Sequence, residues 1–360
     1  MALEFAQRIR RIPAYPLAAG YDLGADMAML ASNESCFGPR PEVIEAAQRA
    51  LAGVHRYPDP SYAALRAALS DRYGVPRERI ALGNGSCDIL LSAGEALLEP
   101  GAEIVYAWPA FSVYPHLAAA SGARAIAVPL DGEDRHDLDA MAAEITVATR
   151  LVLICNPNNP TSTAVGLDEV AAFMERVPRQ VCVILDEAYC EFALAIGDTY
   201  ASLDLIKRWP NLVLLRTFSK AYGLAGLRMG YALCGSEDFR IAVDQVRQPF
   251  YTNMAAQAAA VEALRHQDDL ERRVTHTVAA RTELTDGLRD LGLWVAESDA
   301  NFVWAHLPPD SVEADVVTGL AERRVLVRAG AALGRERSLR VTIGSDAENA
   351  RFLAAIRELV

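Results

Sequence analysis

The sequence lacks the marks of several protein classes. Six cysteines are scattered at positions 36, 87, 155, 182, 190 and 234, with no Cys-x-x-Cys pair and no Cys/His cluster at zinc-ligand spacing. A zinc module is thereby excluded, and scattered thiols fit a reduced, cytoplasmic compartment. There is no run of about 20 apolar residues, the length a membrane span requires. The first residues, MALEFAQRIRRIPAY, lack the apolar segment of a signal peptide. Positive charge is in deficit: Lys+Arg 35 against Asp+Glu 47 leaves −12. That argues against nucleic-acid binding through a basic surface, while leaving room for a local basic pocket. No internal repeat and no low-complexity linker is present. The glycine fingerprint of dinucleotide sites is incomplete, because Gly83 and Gly85 are followed by Asp88.

What is present points to a large soluble enzyme. A chain of 360 residues, 52% hydrophobic and 23% charged, is too long for one small core and predicts a large domain plus a smaller one. Residues 1–30 have little periodicity, and Pro13 and Pro16 break any long helix, so they read as an N-terminal arm. Strands are expected at Ile80–Leu82, Glu103–Ala107, Arg124–Val128, Leu151–Cys155, Val181–Leu185 and Leu212–Leu215, alternating with helices. That rhythm predicts an α/β domain over 31–250, its mostly parallel sheet lying between helix layers. After Pro249 the pattern changes. A largely helical stretch from about Ala255 to Leu291 leads into a small α+β domain, so 251–360 is read as an interdomain helix and a C-terminal domain. Its expected elements are strands Asn301–Ala305, Val325–Arg328 and Leu339–Ile343 and a helix Ala347–Leu359.

The chemistry gathers at strand ends, where open α/β sheets place their ligands. The apolar run Leu212–Leu215 delivers Thr217, Ser219 and Lys220, and Arg228 follows eight residues later. A partly desolvated lysine becomes an amine nucleophile. Val181–Leu185 delivers Asp186 and then Tyr189; a strand-end carboxylate either caps a helix or pairs with a buried cation. Leu151–Cys155 delivers Asn156-Pro157-Asn158-Asn159-Pro160-Thr161, an amide held between prolines. Glu103–Ala107 delivers Phe111. Gly83-Asn84-Gly85-Ser86-Cys87 is a glycine turn into a helix start, favourable to an anion. An amine, a carboxylate, an amide, an aromatic plate and an anion site together describe a pocket for a phosphorylated pyridine aldehyde.

On these residues the chain resembles the fold-type-I, pyridoxal-phosphate-dependent aminotransferases, and among them the histidinol-phosphate aminotransferase family with its aromatic relatives. The resemblance runs from about Ala31 to the C-terminus. It includes Asn33-Glu34, Tyr57-Pro58-Asp59-Pro60, Gly83–Ser86, Asn156–Thr161, Asp186–Tyr189, Thr217–Lys220 with Gly226–Arg228, Ala300–Val303 and Leu339–Gly344. It implies that Lys220 holds pyridoxal 5′-phosphate covalently and shuttles a proton between substrate Cα and cofactor C4′. It implies Asp186 as partner of the ring nitrogen, Asn159 and Tyr189 at the ring oxygen, and Phe111 stacked on the ring. Gly85, Ser86, Cys87, Thr217, Ser219 and Arg228 would hold the phosphate. Tyr57 would reach the neighbouring subunit's site, which implies a homodimer. Arg340 would bind the substrate's acid group, with Arg328, Tyr15 and Asn33 also at the substrate.

Two positions depart from the family pattern. Ser162 stands where the family has glycine, and Cys87-Asp88 replaces its usual acidic pair. The expected reaction passes an amino group from histidinol phosphate to 2-oxoglutarate. An aromatic amino acid donor is the alternative, a threonine-phosphate-type decarboxylase a more distant one, and a regulatory protein without catalysis a rival from another class. The intact Lys220, Asp186 and Arg340 argue against the last.

Overall fold

A computed structural model describes Glu4 and residues 7–12, 26–194 and 197–360. Among the described residues the strands are β1 (Ala28–Met29), β2 (Ile80–Gly83), β3 (Glu103–Trp108), β4 (Arg124–Pro129), β5 (Thr149–Cys155), β6 (Cys182–Asp186), β7 (Leu212–Thr217), β8 (Gly230–Cys234), β9 (Trp294–Val295), β10 (Phe302–His306), β11 (Val325–Leu326), β12 (Arg328–Ala329) and β13 (Ser338–Thr342). The larger sheet has the order β2-β8-β7-β6-β5-β3-β4. The pairs β3–β4, β3–β5, β5–β6 and β6–β7 are parallel, whereas β8 runs antiparallel to both β7 and β2.

Alternation along the central strands explains the layering. Val152, Ile154, Val183, Leu185, Leu212 and Leu214 enter one apolar cluster with residues of helices Ala63–Tyr73, Leu167–Arg176 and Met254–Ala263. Leu151, Leu153, Ile184, Val213 and Leu215 enter another, with helices Ser86–Leu97 and Tyr114–Ser121. Strands buried on both faces read as continuous apolar runs, which is why they were visible in the sequence.

The smaller sheet has the order β12-β13-β10-β9 and is antiparallel. Val303, Ala305, Leu339 and Val341 face a third cluster with helices Gln267–Asp290, Glu313–Glu322 and Asp346–Arg357. The alternate positions, Phe302, Trp304, Arg328, Arg340 and Thr342, share the opposite face.

One expectation is corrected, one is refined, and one strand was not foreseen. β8 was not foreseen, because its glycine-opened sequence follows a loop already rich in glycine. The run Val325–Arg328 is two strands, β11 pairing parallel with β1 and β12 antiparallel with β13. The stretch 255–291 holds two helices, separated at Leu264–His266 where the chain turns. None of the described helices is long and apolar enough to cross a membrane.

Candidate active site

The carboxyl ends of β3, β5, β6 and β7 meet the smaller sheet around a cavity of about 450 Å³, a volume typical of small-molecule sites. Ser86 and Cys87, in the first turn of helix Ser86–Leu97, line it, so that turn's unpaired N–H groups lie beside it. Gly85 has φ +79°, and a Cβ there would sit 2.5 Å from Arg228 Nη2. Gly230, opening β8, is packed more tightly: its Cβ would be 2.3 Å from Ser86 N. Gly230 is therefore required for β8 and the helix start to pack together, and Gly85 suits the left-handed backbone against which Arg228 lies. Thr217 and Ser219 complete this end, with Ser219 N donating to Thr217 Oγ1 at 3.0 Å.

Asp186 ends β6 and is buried. Tyr114 Oη donates to its Oδ2 at 3.0 Å, while Oδ1 makes no hydrogen bond of normal geometry. Burial pushes its pKa up from 3.8 to about 6, against the opposing pull of Tyr114 and the Ala188 amide. Lys220 Nζ donates to the carbonyls of Asn33 at 2.9 Å and Ser32 at 3.2 Å. Burial, reinforced by Arg340 and Arg228, lowers it from 10.5 to about 7, and Glu34 opposes the shift. The amine is thus substantially neutral near neutral pH, as a nucleophile or proton carrier must be.

At the other end, Arg340 Nη1 donates to Asn159 Oδ1 and Nη2 to the Ala31 carbonyl, each at 2.6 Å. Asn33 Nδ2 donates to Tyr189 Oη at 3.0 Å, and Thr342 Oγ1 donates to Asn33 Oδ1 at 3.1 Å. Lys220 Nζ lies 5.6 Å from the Tyr189 ring centroid. Arg328 lies directly opposite Arg340 across β12–β13, and both line the cavity. Phe111 lines it from the end of β3, its ring edge-on to Tyr114 at 5.8 Å.

The structure therefore brings together Asn33, Ser86, Cys87, Phe111, Asn159, Asp186, Tyr189, Thr217, Ser219, Lys220, Arg228, Arg328 and Arg340 around one cavity, with Gly85 against Arg228. Tyr57 is not among them. It is 80% exposed and stacks on Phe250 at 4.5 Å. Tyr15 lies outside the described residues. Ser162 occupies a buried turn with φ +62°, a left-handed conformation that explains why glycine suits that position. Sequence reasoning missed Tyr114 and Leu333. Tyr114 opens a helix 72 residues before Asp186, and no periodicity signals such a contact. Leu333 lies in a short loop turn and resembles an ordinary core leucine.

The residues fit pyridoxal phosphate on chemical grounds. The buried, unpartnered Asp186 Oδ1 can accept from a protonated ring nitrogen, and a shifted lysine amine and an arginine-backed helix start occupy the same cavity. Residues 25–356 match the family model for aminotransferase class I and II. The chain is 46% identical over 332 residues to an aromatic amino acid aminotransferase of Thermobifida fusca, spanning 92% of this chain and 89% of that one. It is equally 46% identical over 333 residues to histidinol-phosphate aminotransferase 1 of Cupriavidus pinatubonensis, spanning 92% and 88%. The crystal structure of histidinol-phosphate aminotransferase from Sinorhizobium meliloti in complex with pyridoxal-5′-phosphate superimposes with a TM-score of 0.87 at 30% identity, covering 100% of this chain and 98% of that one. With the site's donor set and these likenesses together, the chain belongs to the class I and II aminotransferases and uses pyridoxal 5′-phosphate as cofactor.

Proposed function

We propose that the enzyme moves the amino group of histidinol phosphate to 2-oxoglutarate. The observation that carries this reading is the pair Arg328–Arg340, two guanidinium groups directly opposite on one face of an antiparallel pair and both lining the cavity. Two guanidinium forks on one cavity wall can between them engage the several oxygens of a phosphate, more than a single carboxylate offers. An aromatic amino acid donor is the second reading, favoured by the apolar wall of Ala110, Phe111 and Leu333 and by the relatives named for aromatic substrates.

When bound, pyridoxal phosphate supplies an aldehyde and an electron-withdrawing pyridine ring. The first-turn amides at Ser86 and Cys87, with Thr217, Ser219 and Arg228, hold its phosphate. Asp186 would keep a proton on the ring nitrogen, Asn159 and Tyr189 would hold the ring oxygen, and Phe111 would pack on the ring. Lys220 would anchor the cofactor and serve as the base that moves a proton at the substrate Cα. Arg340 grips the acid group of either substrate together with Asn33, and Tyr15 is assigned to substrate binding by the family resemblance alone. We read residues 31–250 and 251–360 as the two domains that enclose this site, residues 1–30 as an arm, and the working form as a cytoplasmic homodimer in which Tyr57 serves the partner's site.

Single-turnover measurements with histidinol phosphate, phenylalanine and tyrosine, following the cofactor absorbance, test the donor. Arg340→Lys is expected to damage both half-reactions by roughly 2–5 kcal/mol, the range for a buried charge losing its partner. Arg328→Ala is expected to weaken histidinol phosphate selectively. Equal loss for histidinol phosphate and phenylalanine refutes phosphate reading by Arg328 and selects the aromatic donor.

A further inference from the structure

We propose that Asp134, outside the cavity, is a positioning residue for the transamination reaction: it fixes the loop that carries Leu333 relative to the turn that carries Asn159. Asp134 follows β4 on the larger unit, and its side chain is only 3% exposed. Its Oδ2 accepts from Trp304 Nε1 at 3.1 Å and lies 2.8 Å from His306 Nε2, both on β10. Its Oδ1 accepts from Arg335 Nη1. A carboxylate so buried is tolerated only where several donors replace water, and here all three come from the smaller sheet and the loop beside it. The residue has φ +59°, in the left-handed region that Asp adopts more readily than most residues.

Two chains of contact leave Asp134, one from its backbone carbonyl and one from its carboxylate, and both end at the site. Through the backbone, Thr163 Oγ1 donates to the Asp134 carbonyl at 2.7 Å. Thr163 and Thr161 hydroxyls lie 2.9 Å apart, and Asn158 Nδ2 donates to Thr161 Oγ1 at 2.8 Å. The next residue is Asn159, which lines the cavity and receives Arg340. Through Arg335, the carboxylate reaches the loop 330–335, closed by Arg335 N donating to the Gly330 carbonyl at 3.0 Å. That loop presents Leu333 to the cavity and packs it on Trp304. Its Gly334 has φ +102°, and a Cβ there would meet the Trp108 ring at 2.8 Å. The loop backbone is thus pressed on the end of β3, beside the segment bearing Phe111. Asp134 holds two walls of the substrate end at a fixed spacing and touches none of the cofactor-end groups.

The test uses the cofactor-loaded enzyme with phenylalanine, histidinol phosphate and 2-oxoglutarate. Arg335→Met removes the loop's tether at a side chain that is 42% exposed, and Asp134→Asn removes the charge. Each is expected to raise KM for the better amino donor roughly tenfold, with kcat within about twofold. The double variant is expected to be no worse than either single one, and Leu333→Ala to reproduce the KM effect. Cofactor dissociation is expected to stay as in wild type, because Asp134 and Arg335 touch neither Lys220 nor the phosphate-holding groups. An unchanged KM in Arg335→Met overturns the proposal, as does a parallel loss of kcat and cofactor affinity, which a merely structural role would produce. Should Asp134→Asn fail to fold, Arg335→Met decides alone.

Discussion

Asp186→Asn should stabilise the apoenzyme while weakening the holoenzyme, and the pH dependence of that gain identifies its cause. In the folded chain burial raises Asp186 from 3.8 to about 6. At ~1.36 kcal/mol per pH unit this corresponds to about 3 kcal/mol. For a carboxyl raised on folding, stability is complete below the unfolded pKa and is lost as pH rises through the folded one. Wild-type apoenzyme therefore loses up to ~3 kcal/mol between about pH 4 and pH 7 at this residue. An amide of the same shape loses nothing over that interval. Urea unfolding of both apoenzymes at pH 5, 6, 7 and 8 is the assay. The variant's advantage should be largest at pH 7–8 and shrink steadily on acidification. Adding pyridoxal phosphate should reverse the ranking, because the wild-type carboxylate then gains a cationic partner. Equal stability of the two apoenzymes at pH 8, or an advantage independent of pH, would refute the assignment of Asp186 as a desolvated, ionised carboxylate.

Lys220→Ala is expected to abolish turnover and the absorbance of the covalently held cofactor with the circular dichroism unchanged; full steady-state activity would end its assignment. Because the lysine is lowered to about 7, its burial is costly below pH 7 and the cost fades towards 10.5. Lys220→Met apoenzyme should accordingly outlast wild type at pH 6 and lose that lead near pH 10. For the homodimer, mixing inactive Tyr57→Ala and Lys220→Ala protomers creates hybrids in which one site keeps both groups. Partial recovery of activity is expected, and none in verified hybrids counts against shared sites. Ser162→Gly should be neutral to stabilising by about 1 kcal/mol in thermal unfolding, since an L-residue in the left-handed region costs about 1–2 kcal/mol and glycine returns part of that as chain entropy. A clear destabilisation would show that its hydroxyl, donating to the Thr161 carbonyl at 2.5 Å, matters more than its backbone.

The cofactor end was legible because each of its groups lies within a few residues of an apolar run. Asp186 ends β6 and Thr217 ends β7, so a buried strand announces the position of the side chain after it. Contacts made across the chain left no such mark. Tyr114 reaches Asp186 from the first residue of a helix packed on the sheet, far away in the sequence. The Arg328–Arg340 pairing depends on register between β12 and β13. β8 was hidden because Gly230 serves two purposes, opening a strand and clearing room for Ser86, and only the second resembles a loop signal. Val325–Arg328 read as one strand because hydrophobicity does not record which sheet a residue joins.

The reversed strand β8 has a consequence for how the site could respond to strain. Residues 218–229 leave β7 and return in its immediate neighbour, and Phe218 N donates to the Met229 carbonyl at 3.0 Å across the base of the excursion. Lys220 and Arg228 therefore ride on a clasp whose two feet are stitched together, with the helix start at Ser86 docked against one of them. The substrate end is built across two units: Arg328, Arg340 and Leu333 come from the smaller sheet and its loop, Asn159 and Phe111 from the larger, and they are tied through side chains, by Asp134 and the Arg340–Asn159 hydrogen bond, rather than through one backbone excursion. A tilt of one sheet on the other would respace those groups like the jaws of a vice, yet leave lysine, phosphate cup and Asp186 in mutual register. Grip on the substrate is thus mechanically separable from the anchorage of the cofactor at Lys220 and at its phosphate.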